Sequence, residues 1–252
     1  MPPLVIASIV FACLFASALL GMALRTRLPV DHLSTDSKDV VKLAMGLIAT
    51  MAALVLGLLT ASAKSSFDTW NDEVKQNAAK IIVLDRTLAH YGPETKEIRD
   101  LIRGVVAFRI AQTWPEDAAQ IGRLDSSNTP AVEGIEARIR ALTPQNDTQR
   151  ALQAAALQTM GDLLGARWLM LSQAGNATPL LFLVIVVFWL SVLFASFGVF
   201  APRNATVAAA LFFCALSVAG SIFLILEMDR PLEGFLKISS APLRYALAHV
   251  DQ

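Results

Sequence analysis

"ALVLGLLTASAKSSFDTWNDEV", Ala53 to Val74, leaves a fully apolar run through small and hydroxylated residues and turns polar without meeting a helix breaker. No proline occurs between Pro29 and Pro93, and no glycine between Gly57 and Gly92. Beyond the apolar run, Phe67, Trp70, Val74, Ala78, Ile81, Leu84, Leu88 and Tyr91 recur at helical spacing and share one face. The spacing predicts one helix from about Val40 to Tyr91, on the order of 75 Å at about 1.5 Å per residue. A hydrocarbon core is ~30 Å thick, so this helix crosses it and continues far into water. Gly92-Pro93 ends it, with glycine just past the last turn and proline opening the next helix.

Four segments lack any charge and match the ~20 apolar residues a span requires: Leu4–Leu24, Leu43–Ala63, Pro179–Ala201 and Asn204–Leu226. With 55% hydrophobic residues and no strand-like alternation, the chain reads as an all-α integral membrane protein with four transmembrane helices. Ala16-Ser17-Ala18 resembles a signal cleavage site, but "MPPLV" carries no Lys or Arg and the apolar run continues to Leu24.

The spans form two hairpins around a polar middle, which divides the chain into 1–63, 64–176, 177–227 and a C-terminal tail, 228–252. The second hairpin turns on "APRN", short enough to force antiparallel neighbours. The middle is nearly balanced in charge, as solvated helices are. It holds a helix from Pro93 to about Trp114, a loop "EDAAQIGRLDSSNTP", a helix from about Pro130 to Leu142, and another from about Asp147 to Ser172. Basic residues near the membrane ends favour, by a narrow count, termini and helical domain in the cytoplasm.

Several functions are disfavoured. Formal net charge is zero and no basic block occurs, so nucleic acid is not a natural partner. His32, His90 and His249 lie far apart without metal-ligand spacing, so no metal or cofactor is expected. There is no GxSxG, CxxC, HExxH or phosphate-binding glycine loop, and an enzyme is not expected. No charged residue occupies a span, which counts against ion-coupled transport. Cys13 and Cys214 lie within apolar segments as packing residues, and the sequons at Asn176 and Asn204 abut spans too closely for an oligosaccharide.

Two places carry the positive signal. Gly46, Thr50, Ala53, Gly57 and Thr60 put small and hydroxyl side chains on one face of the second span, with Lys64 and Asp68 following at its polar end. Such a face is either a close helix–helix seam or a pore wall repeated around an axis, and in both cases it avoids lipid. In "LEMDRPLEG", charge appears abruptly at Glu227 and Asp229, and Pro231 cannot continue the helix. Glu227, Asp229, Pro231 and Gly234 are therefore candidates for a gate or hinge, an acidic ring at a pore mouth, or a snorkelling interface with one ion pair.

These places, with the four-span layout, resemble the bestrophin family, and more closely the bestrophin-like domain of bacterial membrane proteins. In that family a second membrane helix leaves the bilayer through an F-R-x-N-x-x-Y-x-R-W-x-E type stretch. Here Phe67, Trp70 and Glu73 stand near its aromatic, tryptophan and acid, while Ala61 or Ser62 occupies the neighbourhood of its arginine. Pro231 and Gly234 are similar to the P-F-G motif after the fourth span, but "FLKISS" replaces the acids of a calcium clasp. "LDRTLAHYGPE", Leu84 to Glu94, resembles a recurring phrase of the bacterial group. The resemblance implies a homopentamer in a bacterial inner membrane, with second helices lining a central conduit for small inorganic ions; calcium activation is not implied. The expectation is a passive ion channel. Its rival is a non-conducting scaffold or sensor whose helical domain binds a partner.

Overall fold

The computed structural model describes residues 2–27, 35–115, 132–173, 180–202, 204–232 and 234–250. The described residues form eight α-helices: α1 Pro3–Leu24, α2 Thr35–Tyr91, α3 Lys96–Thr113, α4 Val132–Arg140, α5 Asp147–Gln173, α6 Leu180–Phe200, α7 Ala205–Met228 and α8 Ala241–His249. A 3-10 turn, Pro93–Thr95, joins α2 to α3. Among the described residues there is no strand. The loop expected after Trp114 lies outside them from residue 116 onward. Four helices are long and apolar enough to span a membrane, and the protein is an all-α membrane protein. The unbroken helix through "ALVLGLLTASAKSSFDTWNDEV" is α2, 57 residues long. The tail holds a helix that the sequence reading did not anticipate, α8, with Pro242 in its first turn.

The chain divides into two compact units, residues 1–67 with 177–236, and residues 68–176 with 237–252. In the first unit, α1 packs along both α6 and α7. The short link between α6 and α7 leads one to expect those two to be each other's main partners, yet each makes its principal contacts with α1. For α1 and α6 the physical reason lies in two glycines. A Cβ on Gly21 would run into the carbonyl oxygen of Ala195, and one on Gly198 into that of Ala18. Backbones approach this closely in lipid only where side chains are absent. Around this crossing Val10, Leu14, Ala18, Met22, Leu183, Phe194, Leu211, Ala215 and Ile222 form one buried cluster. Phe212 sets its ring edge against Phe11 and Phe15, at centroid distances of 5.2 and 5.5 Å. The Arg25 guanidinium donates to the carbonyl of Ala201, capping the end of α6. Asn204 is the N-cap of α7, its side-chain oxygen 2.8 Å from the Val207 amide that donates to it.

Gly198→Ala is expected to destabilise this crossing by about 1–3 kcal/mol, because the added carbon meets backbone that cannot rotate away. The change is read as a lower melting temperature in detergent; an unchanged melt rules out the tight crossing.

In the second unit, the phrase "LDRTLAHYGPETKEIR" builds a corner. Gly92 sits at φ +144°, a conformation side chains resist, and turns the chain from α2 into α3. Thr95 is fully buried, its hydroxyl 2.7 Å from the Leu88 carbonyl oxygen and 2.8 Å from that of Gly92. Asp85, also fully buried on α2, accepts two hydrogen bonds from the Arg99 guanidinium on α3, at 2.7 and 3.0 Å. Gln149 of α5 donates to the Tyr91 carbonyl at 3.0 Å. The buried Trp114 indole donates to the Ile238 carbonyl at 2.8 Å, holding the tail that leads into α8.

Candidate functional site

The apolar stretch of α2 has three faces. One is covered: Ala52, Leu59 and Ala63 are buried, and Leu59 and Ala63 pack with Val186 and Ile225. A second carries the small residues; Gly46, Thr50, Ala53, Gly57, Thr60 and Lys64 are all exposed. A third carries bulk, with Leu47, Leu54 and Leu58 exposed by 68–69%. Residues three and four apart share a face, so the three stripes run alongside one another down the helix. Only 11% of the apolar window of α2 is buried inside the subunit, against 28% for each of the other three spans.

The glycines sharpen this. A Cβ built on Gly46 or Gly57 meets nothing within 4 Å. Nothing in the subunit demands a glycine there, although glycine costs about 1 kcal/mol relative to alanine inside a helix. Alongside the other small residues of this face they leave the α2 backbone open to close approach. The hydroxyls on the same face are committed to the helix: Thr50 donates to the Gly46 carbonyl and Thr60 to that of Leu56, each at 2.8 Å. With those protons engaged, each hydroxyl presents oxygen lone pairs outward, able to replace a water around an ion. Asp68 is half-buried one turn beyond Lys64.

Glu73, farther along α2, has one carboxylate oxygen buried without a hydrogen-bond partner. Burial pushes its carboxyl above the usual range. A raised folded pKa means the protonated form is the one the fold favours. The stability this provides is complete below the ordinary Glu pKa and lost as pH rises through the raised value. Glu73→Gln is therefore expected to melt higher than the parent at neutral pH and to flatten the fall in stability above the ordinary Glu range. A parent melt independent of pH there removes the reading. The Tyr91 hydroxyl is likewise buried without a partner, and burial, with Glu94 nearby, pushes the phenol up.

After α7 the structure brings together two of the four gate or hinge candidates. Glu227 does not snorkel; it is 2% exposed and turned inward. Its Oε2 accepts the Phe235 amide at 2.6 Å and the Leu236 amide at 3.4 Å. Gly234, at φ +85°, lies against the same carboxylate so closely that a Cβ would collide with it. Asp229 is the C-cap of α7, its amide donating to the Ile225 carbonyl at 3.1 Å. Pro231 is half-buried in the connecting turn. Sequence reasoning missed Phe235 and Leu236, whose contribution is a backbone N–H, a group that no residue letter announces. Among the described residues, no cluster of three or more His, Cys, Asp or Glu side chains could hold a metal ion.

A family model described as Bestrophin-like domain matches residues 12–243. No curated protein matches the chain. Among solved structures, mutant forms of a bacterial bestrophin homolog from Klebsiella pneumoniae are similar in fold. One is 13% identical, with a TM-score of 0.59 and 96% of each chain covered. Another is 14% identical, with a TM-score of 0.56, covering 98% of this chain and 97% of its own.

Proposed function

The chain belongs to the Bestrophin-like family, and from that premise we propose that it is the subunit of a homo-oligomeric ion channel conducting passively through a central pore lined by α2. The observation that carries this reading is the bareness of α2: it is long, apolar and scarcely covered by its own subunit. Copies of α2 around an axis supply what the subunit lacks. The lining residues are then Gly46, Thr50, Ala53, Gly57 and Thr60, with Lys64 and Asp68 at the polar end of the pore. No bond is made or broken; the wall lowers the cost of removing water from an ion. The family resemblance supports a count of five and a bacterial inner membrane, and the charge asymmetry supports a cytoplasmic helical domain. Glu227, Asp229, Pro231 and Gly234 are then the gate or hinge after α7.

Purified protein in liposomes, with its oligomer mass verified, is expected to release trapped small ions faster than empty vesicles. No flux of any small ion from a verified oligomer overturns the channel reading. The residues 68–176 with 237–252 favour a second reading, a scaffold or sensor, because they form a compact unit with a buried core of their own. In that reading the α2 faces are seams only, and no ion crosses.

A further inference from the structure

We propose that the turn following α7 is a membrane-surface anchor, in which Phe235 and Leu236 lie in the acyl-chain boundary of the bilayer that α7 crosses. Phe235 is 81% exposed, more than any other large apolar side chain among the described residues, and Leu236 is 40% exposed. The display is built. Gly234 at φ +85° sets the direction of the turn, and the buried Glu227 carboxylate holds the next two amides in place.

Two observations commit the occupant to lipid. The Phe235 ring lies 6.2 Å from that of Phe223, at 61°, so it is folded back beside the span. Phe223 stands five residues before the end of α7, roughly 7–8 Å along the axis at about 1.5 Å per residue. The aromatic ring thus continues the apolar surface of a transmembrane helix. The second observation concerns the backbone. Non-helical chain is tolerated at membrane depth only where its N–H and C=O groups are satisfied within the protein. Glu227 satisfies the amides of the two residues that carry the exposed apolar side chains, the donor half of that requirement. Arg230, exposed at the start of the turn, adds the cation expected at headgroup level. The anchor rests on the spans and not on conduction, so it stands or falls separately from the channel reading.

The test uses the full chain with Cys13→Ala, Cys214→Ala and Phe235→Cys, spin-labelled and reconstituted in phosphatidylcholine–phosphatidylglycerol vesicles. Collision with oxygen, which partitions into acyl chains, is compared with collision with a water-soluble nickel chelate. Ser239→Cys, at an exposed position outside the turn, is the aqueous reference. The label at 235 is expected to favour oxygen and the label at 239 the chelate. Preference for the chelate at 235 overturns the anchor, as does low access to both reagents, which would place a second copy of the chain over the turn. Phe235→Trp keeps the aromatic shape should the label disturb the fold. Bromine-labelled lipid is expected to quench it beyond the loss shown by the four native tryptophans. No added quenching in a folded protein also overturns the proposal.

Discussion

Thr50→Leu abolishes ion flux while leaving the oligomer intact: that is the expected result if the small-residue face of α2 lines the conduit. Thr50 is exposed midway along the apolar stretch, and its hydroxyl already donates within the helix. Leucine therefore leaves α2 helical, and its main effect is to bring apolar bulk to the wall in every subunit at once. Apolar constrictions stop ions by expelling water. A tenfold fall in flux needs only about 1.4 kcal/mol of added barrier, so a ring of leucines is expected to exceed that easily. If the same face is a seam, leucine blocks close approach and the oligomer mass falls. The exposed leucine stripe supplies a further discriminating measurement. Cysteines at positions 50 and 57 are expected to react with a water-soluble thiol reagent in the native oligomer, and cysteines at 54 and 58 to resist it. The reverse pattern rotates α2 and puts Leu54 and Leu58 on the axis, with the small face as the seam. Protection at all four positions removes the conduit from α2 altogether.

How much of this was legible depends on what kind of group carries the information. The four spans and the unbroken second helix, expected from about Val40 and found from Thr35, could be read because both are statements about what is missing: charge in one case, helix breakers in the other. Gly92-Pro93 marked the end of α2, and the structure ends it at Tyr91. The packing of α1 between α6 and α7 was not legible in the same way. In water, one apolar stripe on a helix shows which side is inward. In lipid every side is apolar, and only residue size distinguishes a packed face; Ala18, Gly21 and Gly198 were that signal. Asn204, read as a chance sequon, is a helix cap, and the sequence alone does not choose between those roles. Glu227 shows the sharpest limit: the partners of its carboxylate are amides eight and nine residues away, set by a turn at Gly234. The α2 faces stay intermediate. Sequence separates small from bulky, the structure adds that neither is covered, and the choice between them belongs to the assembly.

Arg99→Ala is expected to cost the second unit about 3–5 kcal/mol, the range for removing one partner of a buried ion pair. The size comes from what is left behind. Asp85 has no exposed surface, and the Arg99 fork supplies two hydrogen bonds to its carboxylate across the α2–α3 corner. Exposed pairs such as Lys75 with Asp72, at 2.9 Å, involve side chains more than half open to solvent and are worth a fraction of this. The loss is therefore that of two guanidinium hydrogen bonds to a fully buried carboxylate, and not of attraction as such. That makes a second variant informative. Asp85→Leu combined with Arg99→Leu removes both charges and is expected to recover most of the stability lost in Arg99→Ala, because apolar replacement of a buried pair is often neutral. Thermal melts of all three proteins in one detergent check this, and a melt of Arg99→Ala matching the parent rules it out. Cooperative loss is expected to spread through residues 68–176, since Thr95 and Gly92 of the same corner also fix the start of α3. A double variant that melts as low as Arg99→Ala places the value of the pair in its geometry: the fork then sets the angle between α2 and α3, and no apolar pair substitutes for it.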